Sequence, residues 1–162
     1  MGLQVRRLVV PVVAAGLLAT TGCSIPRDPD HTLDRIDQEQ ALVAGAAPAP
    51  PLLVVAGGRV EGPEAELVEG FAATRGATVT WQVASQEELV KRLEDGQIDL
   101  MVGGLTSKSE LSKKVGLTRA YSEEVDEHGD RVKYVVAAPL GENALVGELE
   151  RWFDRGMPEA SR

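Results

Sequence analysis

Residues 98–121 read IDLMVGGLTSKSELSKKVGLTRAY, and this stretch decides the fold. Ile98 to Val102 is an unbroken apolar run, the pattern of a strand covered by helices on both faces rather than one with a wet side. Gly103 and Gly104 end it with a turn that lets a backbone approach closely, as at the wall of a cleft. A short polar helix follows in SKSELSKK, and then the extended segment Thr118-Arg119-Ala120-Tyr121.

The flanking segments extend the pattern in both directions. TLDRIDQEQ, with Thr32 as a cap and Leu33 and Ile36 on one face, predicts a short helix. ALVAGA, residues 41–46, is an apolar strand closed by the rigid loop APAPP. LLVV-AGG-RVEG predicts a hairpin turning at Gly57-Gly58. GPEAELVEGFAATRG opens a helix at Pro63 and Glu64 and stops it at Gly76. Its pairs Leu67/Phe71 and Val68/Ala72 make one apolar face. TVTWQVA alternates, with Val79, Trp81 and Val83 on one side. Ser85 and Glu88 have the spacing of a capping box before a stripe of Leu89, Val90 and Leu93. VKYVVAA, 132–138, predicts one more strand, and ENALVGELERWFDRG a last helix burying Leu145, Leu149, Trp152 and Phe153. Helices alternating with strands predict an α/β fold, a three-layer sandwich with a small, mostly parallel sheet.

Composition narrows the function classes. With 162 residues, 43% hydrophobic and 26% charged, the chain suits one domain, and 4% aromatic residues leave its core to Val, Leu and Ala. The net charge is −8, or −10 once Arg6 and Arg7 leave with a leader, which repels phosphate backbones and argues against nucleic acid as a partner. MGLQVRR followed by the apolar residues 8–19 is too short to span a membrane, which takes about 20 residues, and reads as a signal peptide over 1–22. The segment ends in ATTGC, which resembles the lipobox of bacterial lipoproteins, although Thr20 stands where an aliphatic residue is usual. Cys23 is the only cysteine, so an internal disulfide is impossible and lipidation of its sulfur is expected. The domain layout is then a signal peptide over 1–22, a tether over 23–31, a lobe over 32–156 and a C-terminal tail over 157–162.

Other residues bear on possible chemistry. His31 and His128 sit in a tether and a charged turn with no third zinc ligand in range, so no metal or other cofactor is expected. No Gly-x-Ser-x-Gly elbow, phosphate loop or Cys-His pair is present, so no catalytic residue and no enzyme are expected. Glu64 and Glu66 either face the cleft as an acid pair or simply favour the N-terminus of their helix. Trp81 and Trp152 read as packing residues.

The same residues resemble the type II periplasmic solute-binding proteins, in their amino-acid-binding, family 3 branch. TLDRI is similar to that family's opening helix, PAPP to its proline loop, and residues 62–67, GPEAEL, to its Gly-aromatic-Asp-x-Asp-Leu segment. DGQIDLMVGGLT is close to its Gly-x-x-Asp-x-x-x-x-Gly-x-Thr run. VGLTRAY resembles its hydrophobic-Asp-Phe-Ser-x-Pro-Tyr segment, and YVVAAPLGENALVGEL its returning strand and helix. The likeness covers about residues 32–156.

The resemblance implies a ligand-binding wall of Pro51, Gly104, Leu105, Thr106, Arg119 and Tyr121, for an amino acid or similar small polar solute. It implies an extracytoplasmic, periplasmic protein serving an ABC transporter, here held at a membrane by the lipid on Cys23. Two departures weaken that implication. SEEVDEHGDRVK, between Tyr121 and Tyr134, leaves no room for the second lobe that closes the family's cleft, so a single first lobe is expected. The family's carboxylate-gripping arginine lies five residues after the threonine, and Leu111 stands there. Arg119 or Lys108 either replaces it or is a solvated surface charge. The alternative is a non-catalytic interaction module that has lost ligand binding and docks a membrane partner.

Overall fold

The computed structural model describes residues 28–156; the expected signal peptide, Cys23, most of the tether and the C-terminal tail lie outside them. A five-stranded sheet has the order β4-β1-β5-β9-β6. Its strands are β1 (Ala41–Ala46), β4 (Thr78–Val83), β5 (Leu100–Val102), β6 (Gly116–Leu117) and β9 (Ala137–Ala138). Strand β1 runs parallel to β4, with Ala44 opposite Trp81, and to β5, with Ala44 opposite Leu100. Strand β9 runs antiparallel to β5 and β6. Two hairpins stand outside the sheet: β2 (Val54–Ala56) with β3 (Arg59–Glu61), and β7 (Ser122–Val125) with β8 (Arg131–Tyr134).

The apolar run of β5 divides between two cores, as period-2 geometry requires. Leu100 and Val102 join Ile36, Leu42, Phe71, Leu145 and Leu149 on the side of α1 (Thr32–Glu39), α2 (Pro63–Thr74) and α4 (Asn143–Asp154). Met101 joins Leu89, Val90, Leu93 and Ile98 on the side of α3 (Gln86–Glu94). The three-layer sandwich expected from the sequence is therefore the observed fold. Gly45 lets α3 sit close to the sheet, because a Cβ there would come within 2.7 Å of Ile98 Cδ1 and 2.8 Å of Leu89 Cδ2.

Local signals explain most element ends. Pro63 opens α2, and the Ser85 hydroxyl accepts the Glu88 amide at 3.3 Å to cap α3. The Glu88 carboxylate pairs with Arg92 one turn on. Thr32 is the first residue of α1 rather than its cap, and its amide donates to the Glu142 carboxylate. Asp99, almost fully buried, accepts the Val43 amide at 2.8 Å and pairs with Arg35, joining α1 to two strands. Arg75 donates from Nε to Asp37 at 2.6 Å and lies 3.8 Å from Glu148, joining α2 to α1 and α4.

Some expectations are corrected. VKYVVAA is two strands, because the chain changes partners within it: Tyr134 pairs with Ser122, the Val135 amide reaches Leu105, the Val136 amide reaches Thr118, and Ala137 enters the sheet. SEEVDEHGDRVK is a hairpin rather than only a charged turn. The Asp126 carboxylate accepts the His128 and Asp130 amides at 2.9 Å each to form its bend. Val83 is 46% exposed because β4 is the sheet's edge, and Trp152 and Phe153 are only half-buried. Among the described residues no helix is long and apolar enough to cross a membrane.

Candidate functional site

The glycine turn lies at the C-terminal end of β5, where open α/β sheets gather ligands. Gly103 has φ 140° and packs against Ala47, whose Cβ would be 2.6 Å from a Cβ added at 103. Its carbonyl accepts Gln86 Nε2 at 2.8 Å. The turn is therefore gripped from β1 and from α3.

Glu64 is the centre of the arrangement. It sits in the first turn of α2, is fully buried, and its two carboxylate oxygens each lie 3.1 Å from the Gly104 amide. The Tyr121 hydroxyl donates to Oε1 at 2.7 Å. The Glu64 amide donates to the Leu52 carbonyl at 3.1 Å, which places the Pro51-Leu52 loop against the same helix end. Burial pushes the Glu64 carboxyl above its ordinary range, opposed by the Tyr121 hydrogen bond and the amides of Gly104 and Gly103. Burial also pushes the Tyr121 hydroxyl up, and the adjacent Glu64 charge and hydrogen bond push it further. Of the two acidic residues in this first turn, Glu64 faces inward and Glu66 is exposed.

The remaining wall is aromatic and hydroxylic. Thr106 bridges to Tyr134, whose ring stacks on Tyr121 with centroids 6.4 Å apart and planes at 29°. Phe153 of α4 meets Tyr121 edge-on at 6.0 Å. Thr106 is half-exposed, and neither its amide nor its hydroxyl has a hydrogen-bond partner among the described residues. These groups are available to a small polar molecule.

The structure thus brings Gly104, Thr106, Tyr121 and the Pro51 loop together around Glu64. Leu105 stands behind them: its side chain is buried in the core and its carbonyl accepts the Val135 amide. Arg119 is engaged elsewhere, with its guanidinium 2.6 Å from Asp154 and its amide donating to Glu150 at 2.8 Å, both on α4. Lys108 is exposed and makes no ion pair among the described residues. Leu111 packs at the margin of the core under α3. Sequence reading missed the roles of Tyr134 and Gln86. An aromatic residue two positions into VKYVVAA was a visible signal for the first, and nothing marked the second.

A buried carboxylate thus ties the glycine turn to Tyr121, with Tyr134 stacked on that ring. Residues 42–129, over half the chain, match the family model for bacterial extracellular solute-binding proteins, family 3. The chain belongs to that family, and membership places it outside the cytoplasm. No curated protein matches the sequence.

Solved structures share the fold at low identity. The arginine-bound form of domain 1 from TmArgBP is 21% identical, with a TM-score of 0.68 over 75% of this chain and 98% of that one. The ancestral amino acid-binding protein AncCDT-1, described as a precursor of cyclohexadienyl dehydratase, is 14% identical, with a TM-score of 0.70 over 80% and 95%. An ABC uptake transporter substrate binding protein from Streptococcus pneumoniae with bound histidine is 11% identical, with a TM-score of 0.70 over 82% and 93%.

Proposed function

We propose that the protein is a lipid-anchored, extracytoplasmic binding component of a transporter for amino acids or similar small polar solutes, built on a single first lobe. The observation that carries this reading is the wall around Glu64, with Thr106 free to bond a ligand beside the stacked Tyr121 and Tyr134. Domain 1 of TmArgBP, described in an arginine-bound form, supports the idea that one lobe holds an amino acid. The role is binding rather than catalysis. Cys23 carries the lipid, and its replacement by Ser should release the protein from membranes and abolish incorporation of labelled lipid.

Affinity is modest for two physical reasons. Tight small-molecule sites bury about 70–90% of their ligand, and one open wall buries less. Leu111 offers none of the charge-assisted hydrogen bonds of an arginine, each worth about 1.5–3 kcal/mol. The expected dissociation constant is therefore about 1 mM, or about −4 kcal/mol. Titration calorimetry of the mature protein against the amino acids tests this, and no heat with any of them at several times that concentration overturns it.

A second reading has a specific observation behind it: the Gly104 amide and the Tyr121 hydroxyl are already taken by Glu64. On that reading the wall docks a membrane protein. Pull-down of one specific membrane protein, lost on Thr106→Asp, would favour it, and an unchanged pull-down would remove it. Two lobes facing each other across a rebuilt cleft would appear in sedimentation as a ligand-sensitive dimer.

A further inference from the structure

Glu142, at the start of α4, is fully buried, yet its carboxylate serves a distant segment. Oε1 accepts the Asp30 amide at 2.9 Å and Oε2 accepts the Thr32 amide at 3.1 Å. Asp30 belongs to the run that leads into α1, and Thr32 is the first residue of that helix. Asp28, from the same run, meets this carboxylate with its own, and its Oδ1 is buried without a hydrogen-bond donor among the described residues. Two ionised carboxylates in such a place repel one another. A single proton on Asp28 converts the repulsion into a short, charge-assisted O–H···O bond and gives the orphaned oxygen a role.

We propose that Asp28 and Glu142 form a proton-linked latch, in which one shared proton holds residues 28–32 against the start of α4 and loss of that proton lets the segment go. Burial, then the hydrogen bond to Glu142 and its charge, push the Asp28 carboxyl up to about 7, while the Leu33 amide opposes them. Burial works against the Glu142 charge, but Asp28 and the amides of Asp30 and Thr32 outweigh it and hold that carboxyl low. The sign follows from linkage. A carboxyl raised from 3.8 stabilises the closed form in full below 3.8, and that stabilisation is lost as pH rises through about 7.

Among the described residues, the surrounding charges do not neutralise the pair. Asp34 on α1 adds repulsion, and its carboxylate is 3.5 Å from His31 Nδ1. Asp30 lines a surface cavity of 280 Å³ with Lys113 and Lys114, at the end of the short 3-10 helix Glu110–Lys113 before β6, and Glu94 from the end of α3. No lysine or arginine among the described residues forms an ion pair with Asp28 or Glu142. Opening the latch frees four residues ahead of α1, about 13 Å of extended chain.

The test is amide NMR of the full-length mature protein from pH 5 to 9. The Asp30 and Thr32 amides should titrate together with a midpoint near 7. Their protection against hydrogen exchange should fall about tenfold between pH 6 and 8 beyond the intrinsic rise, following the protonated fraction of the pair. Asp28→Asn supplies a permanent N–H donor to Glu142 and should abolish the titration with the amides fixed near their low-pH positions. His31→Gln should leave it intact, which separates the carboxylate pair from the imidazole beside Asp34. Flat wild-type amides, a titration that survives Asp28→Asn, or one that vanishes in His31→Gln each overturns the latch. Wild type and His31→Gln decide between them should Asp28→Asn fail to fold.

Discussion

Replacing Glu64 by Ala is the most searching perturbation of the site. It strips the acceptor from the Gly104 amide and the Tyr121 hydroxyl at once. Each donor left unpaired in this part-buried site costs up to about 1–3 kcal/mol. Part of that cost is offset, because the folded state no longer carries a buried carboxylate. A net loss of about 3 kcal/mol is expected, which lowers the unfolding temperature of a domain of this size by about 10 °C. Glu64→Gln should fall between, since its carbonyl still serves Tyr121 while its amide nitrogen faces the Gly104 N–H. The pH dependence has a defined sign. Burial raises the Glu64 carboxyl, so its contribution is present in full below 4.5 and lost as pH rises through the native value. The gap between wild type and Glu64→Ala should therefore be wider at pH 4 than at pH 7. Scanning calorimetry at both values measures it. A shift below about 2 °C at pH 4, or a gap that widens with pH, would refute the account of Glu64 as the organiser of the turn.

Other expectations follow from individual contacts. Gly103→Ala should destabilise by about 2–4 kcal/mol in denaturant melts, because φ 140° disfavours a side chain and its Cβ would overlap the Ala47 carbonyl. Arg35→Ala removes the charge partner of buried Asp99 and should cost about 1–2 kcal/mol at neutral pH. Burial already raises Asp99, and Arg35 opposes that rise, so the cost should shrink once the carboxyl is protonated in acid. Leu111→Arg should tighten amino-acid binding by about tenfold in calorimetry, at a small packing cost.

Much of the architecture was legible because its causes are local. The order of helices and strands followed from periodicity, from Pro63 and Ser85 at helix starts, and from the glycine pairs at 57–58 and 103–104. The continuous run at 98–102 reported a strand between two helical layers, and the two cores on its alternating faces are what that run is for. The site was legible in outline only. Gly104, Thr106 and Tyr121 carry recognisable positions, but Arg119 reads as a free cation until α4 supplies Glu150 and Asp154. Glu64 and Glu66 are indistinguishable as acids in a helix's first turn, and only the rotation of α2 against the sheet buries one and exposes the other.

What the sequence by itself determined is therefore the set of elements and the α/β class, since apolar spacing, caps and turn glycines act within a few residues. What tertiary structure decided is where each long-range partner lies. VKYVVAA had to break because Tyr134 and Ala137 pair in different sheets, and Asp28 and Glu142 meet from opposite ends of the described chain. A carboxylate's role is fixed by which donors reach it and how little water does, and neither quantity exists until the chain has closed around it.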